Sequence, residues 1–160
     1  MSKYDSLLNV LDQIRYEAPT KFSKYRPAVD DLEKINQSRS RALIHLFLKV
    51  SFGILDFEAR EKLIADKSYD AGIDAYFIDN ENFKIYFIQS KFRTNEENFE
   101  NKEISVKEIL NMDIDRVIDG ETKDEEGNNY NGKILQIQRE LSDIGRYSYN
   151  VIILANLRNY

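Results

Sequence analysis

Cysteine and tryptophan are absent from the chain, and histidine occurs once, at His45. Without cysteine there can be no disulfide, thiolate zinc site or cysteine nucleophile. A single histidine with no nucleophile motif near it leaves Ser/His/Asp catalysis little support, and no Gly-rich phosphate loop is present either. No apolar run approaches the roughly 20 residues needed to cross a bilayer. The opening Met1-Ser2-Lys3-Tyr4-Asp5 does not begin a signal peptide, so the expected location is cytoplasmic and no membrane partner is expected. Positive charge is also in deficit: 23 basic against 28 acidic residues, net −5. That balance argues against a broad DNA-wrapping surface, although a local basic strip suffices for a nuclease.

What remains, 160 residues without internal repeat or low-complexity segment, fits one domain with a real core. Helical spacing of Leu7, Leu8, Val10, Leu11 and Ile14 predicts a helix over 6–14. Pro19 and the basic, aromatic stretch from Lys21 to Arg26 interrupt it. A long helix is expected over 29–51, ended by Gly53, then a short one over 57–65. After a polar loop at 93–102, apolar residues from Ile104 to Ile118 fall mostly on one helical face. A polar loop over 120–132 and an amphipathic helix over 134–144 follow. The apolar run 149–156 reads as a buried, parallel strand, and a chain ending four residues later reads as the N-terminal module of something longer.

The informative residues lie between these helices. Gly72-Ile73-Asp74-Ala75-Tyr76-Phe77-Ile78 and Ile85-Tyr86-Phe87-Ile88-Gln89-Ser90-Lys91-Phe92 read as two strands joined at Asp79-Asn80-Glu81-Asn82. Polar groups are rare inside such apolar runs, because an unpaired buried charge is expensive. With an even-length connection, for example a two-residue turn at Asn80-Glu81, Asp74 lies opposite Phe87. Asp74, Phe87, Gln89 and Lys91 then share a face. Ile73, Ala75, Phe77, Tyr86, Ile88 and Phe92 occupy the other. Both faces are mostly apolar, as expected of strands covered on both sides by helices.

A carboxylate and an amide carbonyl are hard oxygen ligands suited to Mg²⁺ or Mn²⁺. A lysine two residues beyond such a ligand can hold a phosphate, orient a water or offset developing negative charge. Asp70, four residues before Asp74, is the nearest further acid; its other role is to cap the loop.

Asp74, fourteen intervening residues and Gln89-Ser90-Lys91 resemble the Asp…(Glu/Gln)-x-Lys core of the PD-(D/E)XK nuclease superfamily. Asp70-Ala71-Gly72-Ile73-Asp74-Ala75 and Phe87-Ile88-Gln89-Ser90-Lys91 resemble more closely the N-terminal domain of abortive-infection phage-resistance proteins, and more distantly Mrr-type restriction enzymes. The match covers about Ala59 to Arg93. It implies an α/β, restriction-endonuclease-like fold: a mixed central sheet flanked by helices on both faces. Asp74, Gln89 and Lys91 would be the catalytic set, with Asp74, Gln89 and Asp70 as metal ligands and Lys91 and Arg93 as nucleic-acid contacts. The implied activity is Mg²⁺- or Mn²⁺-dependent hydrolysis of DNA in phage defence or restriction, with RNA as a substrate and a homodimer both admitted. A further domain of the same polypeptide is implied beyond Tyr160.

Two residues depart from the pattern: Gln89 stands where many members have Glu, and Ala71 where the first Gly is usual. Members also use an acid from the first helix, for which Glu33, Glu58 and Glu61 are the candidates. The alternative reading is a nuclease-fold module that binds nucleic acid or assembles without cutting. His45, in the apolar part of the long helix, reads better as a structural histidine than a catalytic one. The Lys21–Arg26 stretch reads as a solvated loop ahead of a nucleic-acid contact.

Overall fold

The computed structural model describes residues 1–155. Its contacts divide the chain into two compact units: Met1–Lys62 with Ser90–Glu103 and the chain from Leu154, and Leu63–Gln89 with Ile104–Ile153.

The first unit is helical. α1 (Lys3–Tyr16) opens with a capping box in which Ser2 and Asp5 satisfy each other's backbone N–H. α2 (Leu32–Phe52) starts at Asp31, whose carboxylate accepts from the Lys34 N–H, and stops at Gly53 in the left-handed conformation, as the sequence predicts. Leu11, Ile14 and Ala42 bury against one another with Leu7, Leu43, Leu46 and Phe92 around them. α1 and α2 are also tied by Arg39, which grips Asp12 through two bonds of 2.9 and 2.8 Å. α3 (Phe57–Lys62) is shorter than the expected 57–65, because residues 63–65 turn extended and pair with the sheet. The expected loop at 93–102 contains a short helix, α4 (Glu96–Asn101), capped by Asn95.

The second unit holds a small mixed sheet of three strands in the order β1 (Ala75–Asp79), β2 (Lys84–Ser90), β3 (Ser148–Leu154). β1 and β2 are antiparallel, with Asp79 opposite Lys84 and Ala75 opposite Ile88. β3 lies on the other side of β2, where the Ser148 N–H reaches the Phe83 carbonyl at 2.9 Å. Among the described residues it is an edge strand, and Tyr149 and Val151 stand half exposed, so the expectation of a buried strand fails. The end of that expected strand, at Asn156, lies outside the described residues.

The single helical face expected over 104–118 is broken into α5 (Val106–Leu110) and α6 (Ile114–Ile118). Backbone at the break is committed elsewhere: the Asp113 N–H donates to the Ala71 carbonyl at 2.8 Å. α7 (Gly132–Ser142) begins at Asn131, whose side chain accepts from the Lys133 and Ile134 N–H groups. Tyr76, Ile85 and Phe87 from the sheet bury against Val117, Ile134 and Ile137 from α6 and α7. No helix among the described residues is long and apolar enough to cross a membrane.

Candidate metal centre

The hairpin register decides where the polar residues fall. The connection is four residues, 80–83, with Asp79 accepting from the backbone of Glu81 and Asn82. Its length is even, the condition on which the shared face depends, but two residues longer than a turn at Asn80-Glu81. The whole pairing therefore moves by two. The pairing ends at Ala75–Ile88, where the Asp74 N–H donates to the Ile88 carbonyl at 2.8 Å, and Phe87 lies opposite Tyr76 instead of Asp74. Within β2, side-chain alternation keeps Gln89 on the side of Phe87.

Upstream of β1 the chain is a loop, in place of the expected strand from Gly72. The Ile73 N–H returns to the Asp70 carbonyl at 2.9 Å, and Asp70 Oδ1 accepts from the Gly72 N–H at 2.9 Å. Ala71 and Gly72 both carry positive φ, 58° and 70°. Because of this turn Ile73 joins the core with Tyr76 and Phe87, and does not lie on the opposite face with Ala75. Gly72 is required twice over: a Cβ there would stand 2.8 Å from the Asn111 carbonyl oxygen and 3.1 Å from Met112 Cα.

The loop and the strand bring three carboxylates together. Asp66, Asp70 and Asp74 each offer an oxygen within 4.8 Å of the others, all three residues half-buried. Asp66 carries no signal of this role in the sequence, because seven residues separate it from Asp74 in a stretch that reads as loop. It arrives through the Ile64–Ala75 bridge, which lets the Asp74 carbonyl accept from both the Ala65 N–H (2.7 Å) and the Asp66 N–H (3.1 Å). Burial first, then the Asp66 charge, push the Asp70 carboxyl up to about 6, against the opposing hydrogen bonds from Gly72 and Asp74.

Gln89 completes the picture. It is 4 % exposed. Its Nε2 donates to the Gly72 carbonyl at 3.3 Å, while Oε1 is buried without a hydrogen-bond partner. A carbonyl can only accept, so that bond fixes which end of the amide is which. A buried carbonyl oxygen with no donor is costly unless something electropositive meets it. Three hard carboxylates and such an oxygen are the donor set a small divalent cation takes.

Lys91 and Arg93 fall in the other unit. The Lys91 N–H donates to the Leu154 carbonyl at 2.8 Å, and its ammonium takes no ion pair among the described residues. The Tyr4 hydroxyl donates to the Arg93 carbonyl at 3.1 Å, and Arg93 Nη2 is buried without a partner.

All three helix acids are engaged within their own unit, Glu33 by the Gln37 amide at 3.3 Å. Glu58 pairs with Lys21 at 2.7 Å. Glu61 accepts from Lys24, Tyr25, Arg41 (3.0 Å) and His45 (2.9 Å). Sequence reasoning misses this last cluster. Arg60, fully buried, donates to His45 Nδ1 at 3.1 Å, so the His45 proton sits on Nε2, facing Glu61. The ring stacks on Phe57 with centroids 4.1 Å apart. His45 is thus the structural histidine expected of it. Tyr25, fully buried beside it, has no face left for a nucleobase.

Comparison of the chain with protein-family models, curated proteins and solved structures finds no match.

Proposed function

We propose that this chain is a divalent-metal-dependent nuclease domain of the PD-(D/E)XK kind, hydrolysing phosphodiester bonds of nucleic acid, DNA foremost, in phage defence or restriction. The observation that carries the reading is the cluster of Asp66, Asp70 and Asp74 carboxylates, together with the buried, partnerless Oε1 of Gln89, whose amide holds the Gly72 carbonyl of the same loop. These four residues would hold Mg²⁺ or Mn²⁺. When bound, the cation supplies Lewis acidity at a phosphate oxygen and an acidified water.

The chain's own residues set the rest. Asp70, neutral at pH values where ordinary carboxyls are ionised, shares a hydrogen bond with Asp74 and must give up its proton to become a ligand. The reaction forms one bond from a water oxygen to phosphorus and breaks the bond to the leaving ester oxygen, which takes a proton. In this reading Lys91, two residues along from Gln89, offsets the charge that develops on phosphate. The wider fold, with helices on both faces of the sheet, belongs to the same proposal.

A module that binds without cutting is the second reading. It is favoured by Gln89, whose amide already braces the Gly72 loop, and by the net charge of −5. Cleavage of plasmid DNA in Mn²⁺ by wild type and by Lys91→Ala separates the two. The nuclease reading expects cleavage by wild type, and none by a variant that still folds and binds Mn²⁺. Cleavage that persists in Lys91→Ala contradicts it.

A further inference from the structure

Away from the metal centre, the first unit carries a groove of about 290 Å³ lined by Glu33, Asn36, Gln37 and Ser40 of α2 and by Phe92 and Thr94. The α2 residues recur at i, i+3, i+4 and i+7, one face of the helix. Asn36 and Ser40 are half-buried, and with Thr94 they make no side-chain hydrogen bond among the described residues. Gln37 Nε2 donates to Glu33 Oε1 at 3.3 Å, which orients the carboxylate on the groove wall. Phe92 packs its ring against Leu11, Ile14 and Ala42 and also lines the groove.

We propose that this groove takes one base of a nucleic-acid strand, a base bearing an exocyclic amine. The inference rests on the nuclease reading. The groove's chemistry selects the ligand. A carboxylate on the wall repels a phosphate but accepts hydrogen bonds from an amine such as cytosine N4. Asn36 supplies both a donor and an acceptor, Ser40 and Thr94 supply hydroxyls, and Phe92 supplies an apolar, aromatic surface. The volume accommodates a single planar base with water around it. Lys91, next to Phe92 in the chain and without an ion pair among the described residues, is the cation for the strand's phosphate.

The test is fluorescence anisotropy with labelled ten-nucleotide strands of deoxycytidine and of thymidine, two pyrimidines that differ at the amine. Wild type is compared with Glu33→Gln and Asn36→Ala, both surface changes on a long helix. Loss of one hydrogen bond from a charged acceptor corresponds to roughly tenfold in affinity. Wild type is expected to prefer the cytidine strand by about that factor, and both variants to lose most of the preference while keeping the fold. Equal binding of the two strands, or a preference that survives both substitutions, overturns the base site. Absence of binding by either strand overturns it too. Mn²⁺ binding by Asp66, Asp70 and Asp74, read separately on the same samples, shows whether the metal-centre reading falls with it.

Discussion

Gln89 donates its amide N–H to the Gly72 carbonyl at 3.3 Å and leaves its oxygen buried and unmet. One side chain thereby braces the acidic loop, and in the proposed site its oxygen is the fourth ligand. Gln89→Ala should weaken Mn²⁺ binding about tenfold through the lost oxygen. Gln89→Glu should behave oppositely in the two states. Without metal a further buried carboxyl against the acidic loop lowers the melting temperature, and with Mn²⁺ the variant recovers more than wild type does. Thermal unfolding with EDTA and with Mn²⁺ checks both.

The loop is also held from outside by the segment between α5 and α6, where the Asp113 N–H donates to the Ala71 carbonyl. Gly72→Ala adds left-handed strain and a clash with the Asn111 carbonyl, together about 3 kcal/mol. Gly53, at φ 68° with nothing within 4 Å of where a Cβ would stand, is the control, and Gly53→Ala should cost only about 1 kcal/mol. Urea unfolding of the two variants at neutral pH measures the difference.

The Glu61 cluster predicts acid sensitivity. Its four donors, outweighing burial, hold the Glu61 carboxyl far below its usual 4.5, so its contribution is present above that pH and lost as pH falls below it. Burial depresses the His45 pKa below 6.5, so neutral His45 contributes stability above 6.5 that is lost as pH falls further. Both act in the same direction, with Arg41, Arg60, Lys24 and Glu17 as the charges around them. Urea midpoints should fall from pH 7 to pH 4. Glu61→Gln should flatten the part of the fall below pH 4.5 while lowering stability at pH 7.

Asp70 has the opposite sign. Its carboxyl is raised from 3.8 to about 6, so stability from the protonated form is complete below 3.8 and is lost as pH rises to 6. Asp70→Asn keeps an oxygen for the Gly72 N–H and removes the buried charge. At pH 7.5 in EDTA that variant should unfold at a higher temperature than wild type, and it should lose the stabilisation by Mn²⁺ that wild type shows.

These outcomes depend on features of unequal visibility in the sequence. Helix α2 is legible because apolar spacing and Gly53 are local signals. The hairpin is legible as two strands but not in register, since a turn rich in Asp and Asn closes equally well at two or four residues. Asp74 and Gln89 stand out as polar groups in apolar strands, whereas Asp66 depends on a single bridge between Ile64 and Ala75 that no periodicity announces. The break at Asn111–Asp113 is hidden for a similar reason: the helical pattern runs through it, and a tertiary bond to Ala71 overrides it. The Glu61 cluster joins residues 24, 25, 41, 45, 60 and 61, whose spacing carries no motif.

The central claim is a divalent cation held by Asp66, Asp70, Asp74 and Gln89. Paramagnetic broadening by Mn²⁺, followed by NMR on the wild type and on Asp74→Ala and Asp66→Ala, tests it most directly. Selective broadening of amides from residues 66, 70–74 and 89, removed by Asp74→Ala and weakened by Asp66→Ala in folded protein, is the predicted result. Broadening spread over the acidic surface, or unchanged by either substitution, would contradict the account.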